Sequence, residues 1–450
     1  MTKTDWLLIV LISLSFLTHF MFLNYPSEVV FDEYHYGKFA SAYLTRDPSF
    51  SGHPPLGEMM LAGAGWIFNI EPNCTFEEVG HPCSPYIFFA LRFLPALFGV
   101  LSLMVFYAFI KILTKSKEIA LIGGFLFVCE NAILVQSRLI LIDIFLIFFG
   151  ILGLFLLLKA MDEKRIKIKW LFIILSGLSL GACLSVKWTG LGIIATAILL
   201  VMMKLSESKA RLREWSKTGI VLGICVIFVY CLSFWVQFHI TPNNNKVDNF
   251  WNQYGERFSP IQFRGDDFEQ LSFPGKLARM NYIMFQSQES GDFSHPSSSR
   301  FYEWPFMETT ITYWLEPTAT TTADKPNVAA IGLVGNYVIW ILSSIGMIML
   351  VFSLLSKKIR DEFAISPFLI FFILFGYLFN LLPFILISRS TFLYHYFPSY
   401  VLTIVNLGII LDWIRKHNKK LFWIMILIII GGFIASAPTT YGFQRYFNIF

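Results

Sequence analysis

The run LILIDIFLIFFGILGLFLLLK, residues 139–159, carries one carboxylate, Asp143, and is otherwise hydrocarbon up to its terminal lysine. A helix rising 1.5 Å per residue over that length crosses the apolar core of a bilayer, which is about 30 Å thick. Moving outward in both directions, comparable runs recur near 6–24, 86–112, 118–136, 170–186, 188–204, 218–238, 333–355, 365–387, 392–411 and 421–437, giving eleven predicted spans. The chain is 56% hydrophobic and 14% charged, with a mean hydropathy of +0.61, more apolar surface than a water-soluble fold of 450 residues can hide. The first run lacks a small-residue cleavage site after it and reads as a retained span, not a leader.

Lysine and arginine orient the spans. Alternate loops hold Lys111, Lys115 and Lys117; Lys164, Arg165, Lys167 and Lys169; Lys204, Lys209, Arg211, Arg213 and Lys217; Lys357, Lys358 and Arg360; and Arg415, Lys416, Lys419 and Lys420. By the positive-inside rule these are cytoplasmic. The acidic loop at 25–85 and the long loop at 240–332 are then external, with the N-terminus inside and the C-terminus outside. The chain divides into a first span (1–24), an external loop with interfacial helices (25–85), spans two to seven (86–239), a second external loop (240–332), and spans eight to eleven with the C-terminus (333–450). The net charge of +5 reflects this orientation, not nucleic-acid binding. Cys74 and Cys83 share one external loop and can pair in an oxidising compartment.

Three cations break the charge rule in short external connections: Arg138, Lys187 and Arg389. Each alone could snorkel to headgroups. Together, beside a carboxylate-rich loop, they predict a site for a phosphate-bearing, membrane-embedded ligand. Glu130 and Asp143 flank Arg138, with Glu130 about 12 Å away if its helix is continuous. In FDEYHYGKFASAYLTRD (31–47), Asp32 and Glu33 open a predicted helix and point about 100° apart, so one can act as a base while the other is held in hydrogen bonds. In SGHPPLGEMMLAGAGWIFNI (51–70), Pro54 and Pro55 start a helix too short to span, expected in the interface.

FDEYHYGKFA and HPPLG, then ENAILVQSRLILID (130–143), SVKWTGLG (185–192), HPSSSRFYEWPFM (295–307), LVGN (333–336) and ISRSTFLYHYFP (387–398) together resemble the protein O-mannosyltransferase family. The resemblance runs in order from about residue 30 to Gly442. It implies an all-α integral membrane protein of the GT-C glycosyltransferase fold, a polyprenyl-phosphate donor such as dolichyl phosphate mannose, and inverting transfer to serine or threonine hydroxyls of an acceptor protein at the external membrane face. It further implies that Asp32 and Glu33 are the catalytic acidic pair. The 240–332 loop has no repeated strand pattern to house the MIR domain of the eukaryotic members, so the chain resembles the shorter prokaryotic ones.

Such a reaction needs a base for the acceptor hydroxyl, cations for the departing phosphate and a groove for the isoprenoid tail. Asp32 supplies the first; Arg138, Lys187 and Arg389 supply the second. The leaving group is already a stabilised phosphate, so no general acid, metal or cofactor is required, and no HExxH or Cys/His ligand set is present. Expected beside the substrate, or supporting the site, are His35, Lys38, His53, Glu130, Asp143, Trp188, His295, Arg300, Glu303, Trp304, Tyr394 and His395. The histidines lack coordination spacing and are expected to hydrogen-bond sugar or phosphate. Membrane lipids are the remaining partners, and a dimer is compatible with the family. A same-fold enzyme with a lipid or glycan acceptor is the nearer alternative. A polytopic transporter is the more distant one, since it should show paired halves with broken helices.

Overall fold

The computed structural model describes residues 3–47, 50–208, 212–241, 268–289, 295–316, 329–363 and 365–443. Segments 242–267, 290–294 and 317–328 of the second external loop, as well as Lys209 and Arg211, lie outside the described residues. Among the described residues, eight helices are long and apolar enough to cross a membrane. A bent pair makes a ninth candidate, and the shorter apolar helices Asp5–Phe20 and Gly190–Lys204 occupy the positions of the two remaining expected spans. The protein is therefore a multi-pass membrane protein.

In chain order the helices are α1 (Lys3–Phe20), α2 (Glu33–Thr45), α3 (Leu56–Ile67), α4 (Pro85–Thr114), α5 (Lys117–Val128), α6 (Asn131–Ser137), α7 (Asp143–Asp162), α8 (Ile166–Val186), α9 (Gly190–Ser208), α10 (Leu212–Ile240), α11 (Phe273–Glu289), α12 (Tyr337–Leu355), α13 (Pro367–Leu381), α14 (Phe397–His417) and α15 (Lys419–Tyr441). A short helix, Lys357–Glu362, follows α12. Two short antiparallel strands, β1 (Ile311–Leu315) and β2 (Ala330–Leu333), add a small sheet to the helical architecture. Leu333 belongs to β2, and span eight begins at Tyr337, where the Asn336 side chain accepts the Val338 and Ile339 N–H groups.

Inside a bilayer, apolar side chains gain little by leaving lipid, so close backbone approach and polar pairing hold helices together. The α7–α8 contact illustrates both. A Cβ on Gly153 would lie 2.7 Å from the Leu180 side chain, while the Ser176 hydroxyl donates to the Gly153 carbonyl at 2.8 Å and Ser179 to that of Phe149 at 2.8 Å.

The third expected span is not one straight helix. α5 and α6 meet at 63°, so the expected 12 Å axial separation of Glu130 and Arg138 does not apply. A break at membrane depth must satisfy the amides it frees, and Glu130 does so: Oε1 accepts from the N–H groups of Ala132 (3.0 Å) and Asn336 (3.3 Å), and Oε2 from the Tyr400 hydroxyl (2.6 Å). The Asn336 amide donates to the carbonyls of Cys129 and Ile429. Glu130 thus joins three distant spans in a supporting role.

Between α1 and α4, α2 and α3 pack on one another. Cys74 and Cys83 form a disulfide. The end of α3 leaves Trp66 77% and Ile67 68% exposed, an apolar tip suited to an interface.

Candidate active site

The exit from α1 sets the position of everything that follows. Its last carbonyls have no intrahelical partners. Arg138 takes them: Nη1 donates to Thr18 and His19, both at 2.8 Å, and Nη2 to Phe22 at 3.3 Å, with the guanidinium 4.4 Å from the Tyr441 ring centre. Arg92, from α4, continues along the same strand of chain. Its Nη1 donates to the carbonyls of Leu23 and Pro26, and Nη2 to that of Glu28. Its remaining donors grip Glu33, Nε to Oε1 at 2.7 Å and Nη2 to Oε2 at 2.8 Å. Glu33 also accepts the N–H groups of Ile140 (2.9 Å) and Val30 (3.0 Å).

Two expectations are thereby corrected, the catalytic role that the resemblance implies for Glu33 and the phosphate-binding role of Arg138. Glu33 and Arg92 have no solvent-accessible side-chain surface, and four hydrogen bonds consume the carboxylate, so Glu33 positions the loop and has no lone pair left for chemistry. Arg138 serves backbone carbonyls and does not join Lys187 and Arg389. Arg92, which does most of this work, was visible in sequence as an arginine within the apolar 86–112 run, and its significance was missed.

Asp32 leaves on the other face of the turn. It precedes α2 without making a capping bond. With His35, Tyr36 and Phe39 it forms one helical face at spacings of three and four. That face looks across a cavity of about 300 Å³ at Ser51, Gly52, His53 and Arg389. The turn before Asp32 is braced from the second external loop. Phe31, held at φ 49°, donates its N–H to the Tyr313 carbonyl at 3.0 Å and stacks on the Tyr313 ring at 4.1 Å, and Trp314 Nε1 donates to Glu28 at 2.8 Å. Nothing in the alternation of that loop singled out Tyr313.

From Tyr313 a polar chain runs inward. Its hydroxyl donates to Gln136 Oε1 (2.6 Å), Gln136 Nε2 donates to Asp143 Oδ2 (3.0 Å), and Asp143 Oδ1 accepts from Lys187 Nζ (2.7 Å). Lys187 also lies 5.2 Å from the Tyr394 ring centre. Burial pushes the Asp32 carboxyl up to about 7; the Lys187 cation opposes this and the Asp143 charge adds to it. Burial likewise drives His53 well below its ordinary value, assisted by the charges of Lys187 and Arg389, and His35 down to about 4. Both rings are neutral at pH 7, suited to hydrogen-bonding sugar hydroxyls. The charges of Lys187 and Arg389 thus both act on His53.

The other expected residues divide into neighbours and supports. Tyr394 and His395 stack on one another at 4.6 Å. His395 Nδ1 accepts the Phe392 N–H, and its ring stacks over Trp304. Trp304 is fully buried, donates through Nε1 to Ser299 Oγ and accepts from Trp340, so it packs the loop instead of facing a sugar. Glu303 accepts from the Arg300 N–H and the Thr309 hydroxyl. Trp188 donates to Tyr230, which donates to Asn281 on α11. Lys38 sits 3.4 Å from the Tyr34 ring centre and does not line the cavity, and burial lowers it to about 8. His295 is exposed, edge-on to Phe392.

Comparison with known proteins identifies the family and the fold. The family described as dolichyl-phosphate-mannose-protein mannosyltransferase matches residues 9–244, and the C-terminal four TMM region of protein-O-mannosyltransferase matches residues 273–446. Protein O-mannosyltransferase 1 of Drosophila melanogaster is 35% identical over 39% of this chain and 20% of its own. Protein O-mannosyl-transferase 1 of Mus musculus is 33% identical over 51% of this chain and 33% of its own. Mannosyltransferase 4 of Saccharomyces cerevisiae is 32% identical over 54% of this chain and 34% of its own. The match thus spans about a third or less of these relatives' length. The fold is similar to the S. cerevisiae Pmt1–Pmt2 complex bound to the sugar donor (TM-score 0.83, 16% identity, covering 98% of this chain and 90% of that one). It is also similar to ArnT of Cupriavidus metallidurans bound to undecaprenyl phosphate (TM-score 0.56, 13% identity, 97% and 65%). The fold is that of the GT-C glycosyltransferases, and with a family match over more than half its length the chain belongs to the protein O-mannosyltransferase family.

Proposed function

We propose that this protein transfers mannose from a polyprenyl-phosphate donor to serine or threonine hydroxyls of proteins at the external membrane face. The observation that carries the reading is the Asp32 cavity: a carboxylate free of capping bonds and raised to about 7, opposite Arg389 and within the field of Lys187. The acceptor oxygen attacks the anomeric carbon while Asp32 takes its proton. The bond from that carbon to the phosphate oxygen breaks, its electron pair leaves with the polyprenyl phosphate, and Lys187 and Arg389 stabilise the departing charge. Attack opposite the leaving group inverts the anomeric centre. Neutral His35 and His53 hold sugar hydroxyls, and this chemistry calls on no metal or other cofactor.

External placement of the site rests on the lysine and arginine bias, and the family relationship supports the substrate class. Association with a second subunit, as in the Pmt1–Pmt2 complex, belongs to the same reading. The test is a transfer assay with membranes containing the protein, radiolabelled polyprenyl-phosphate mannose and either a serine/threonine-rich peptide or a lipid extract. Label in peptide that yields to β-elimination and resists N-glycan removal supports the proposal. Label confined to lipid transfers the reading to a same-fold enzyme with a lipid acceptor.

A further inference from the structure

Beside the Asp32 cavity lies a second polar cavity, of about 200 Å³, to which the reaction above gives no task. It opens between the segment at 295–307 and the connection between α13 and α14. Its rim is firmly held. Ser299 donates its N–H to the Thr391 carbonyl at 2.8 Å, the Thr391 hydroxyl donates to the Ser299 carbonyl at 2.6 Å, and Ser299 Oγ accepts from Trp304 Nε1. The carboxylate in its wall, Glu303, is already engaged by the Arg300 N–H at 3.0 Å and the Thr309 hydroxyl at 3.1 Å.

The remaining groups in the wall are donors. Arg389 Nε and Ser390 Oγ are buried without a hydrogen-bond partner among the described residues. The Ser298 hydroxyl and the exposed Arg300 guanidinium complete the lining. Two guanidiniums and two hydroxyls around a small space, with the neighbouring carboxylate engaged by its own loop, form a receptor for an oxyanion. An unpaired buried donor is costly, so its persistence here is explained by a ligand that supplies the acceptor.

The identity of the anion follows from the neighbouring cavity. Arg389 lines both spaces. The donor phosphate must lie on the Asp32 side, where its bond to the sugar breaks and where the Lys187 charge acts on Asp32 and His53, although Lys187 lines neither cavity. What enters the outer cavity must therefore arrive with the acceptor. We infer that this cavity binds a carboxylate of the acceptor polypeptide, from an aspartate or glutamate flanking the serine or threonine that receives the sugar. This inference rests on the protein-acceptor reading above.

The experiment uses the full-length protein in lipid with polyprenyl-phosphate mannose. The acceptors are peptides with a single threonine that differ only in Glu, Gln or Lys at the flanking positions. At low salt the Glu peptide should show kcat/KM about tenfold above its Gln counterpart at one or more positions, carried by KM, the size expected of one charge-assisted contact. Arg300→Glu should abolish that preference and favour the Lys peptide, and Ser390→Ala should reduce it. Thermal unfolding of each variant separates these outcomes from misfolding. Equal kcat/KM for Glu and Gln peptides at every position overturns the inference. So does an Arg300→Glu effect confined to donor KM, which would place the donor phosphate in this cavity. Binding of the same labelled peptides without donor provides a measure independent of transfer. If the wild type labels only lipid, the protein-acceptor reading fails; if it labels peptide but binds Glu and Gln forms equally, the subsite alone fails.

Discussion

The two sides of the turn that begins α2 carry adjacent carboxylates with opposite fates. Behind the turn, Glu33 has every acceptor position used, and Arg92 spends its donors on Glu33 and on three backbone carbonyls. In front, Asp32 makes no capping bond, and Arg389 keeps a buried Nε without a partner among the described residues. The two sides share the same residue types, so composition cannot separate them. Satisfaction of hydrogen bonds does: a buried polar group that is fully paired holds the fold, and one left open is reserved for a ligand.

The comparison breaks most readily at Asp32. Asn keeps its size and removes the proton acceptor, so Asp32→Asn should lower mannose transfer by about 10²–10⁴-fold while donor binding changes little. Folded stability should not fall, because an uncharged side chain suits a half-buried site. Retention of more than about a tenth of wild-type turnover would return Asp32 to the role of a mere helix-start residue. Behind the turn the expectation reverses. Arg92→Met strands a buried carboxylate and releases three carbonyls, at a cost of about 3–5 kcal/mol, seen as loss of detergent-resistant folded protein. Normal unfolding temperature in that variant would erase the distinction between the two sides.

This difference also marks how far the sequence could be read. The spans were legible because hydropathy alone selects them: among the described residues, eight of the predicted runs hold helices long enough to cross, two hold shorter ones and one holds a bent pair. The break at Glu130 was not, because the groups that satisfy it, Asn336 and Tyr400, lie more than two hundred residues away in the chain. Arg138 and Arg389 look alike in sequence, each a lone cation in a short external connection. What separates them is that the α1 carbonyls reach Arg138 and none of that set reaches Arg389. Asp32 could be named in advance, since its position after the first span limits what it can face. Tyr313 could not, because its partner Gln136 is supplied by α6, distant in the chain.

On the front side, Lys187 tests the electrostatics more finely than deletion of the base. Its cation favours the ionised form of Asp32 and neutralises Asp143, whose charge acts in the opposite sense. Transfer by the wild type should rise with pH through about 7 as Asp32 loses its proton. Lys187→Met removes one favourable charge and exposes an unfavourable one, so this limb should move to higher pH. The informative quantity is the position of the limb, since a lost phosphate contact lowers its height without moving it. An unmoved limb would mean that Asp32 is not the group titrating.

The smallest expected effect concerns Glu58, a carboxyl that belongs to neither side. It lies in the first turn of α3, fully buried, with neither oxygen in a hydrogen bond among the described residues, although the neighbouring Ser51 hydroxyl opposes its upward shift. Burial raises it to about 8, so the folded protein holds it protonated at pH 7 while an unfolded chain releases that proton near 4 to 5. Between those values the native state binds the extra proton, and stability attributable to this group therefore falls as pH rises. Glu58→Gln keeps the shape, removes the titration and should flatten that dependence. Measured side by side from pH 5 to 8, the unfolding temperature of the variant should gain steadily on that of the wild type. Asp32 titrates in both proteins and cancels in the difference. A constant gap would mean that Glu58 is ionised throughout and paired, which would place it with Glu33 among the groups that hold the fold.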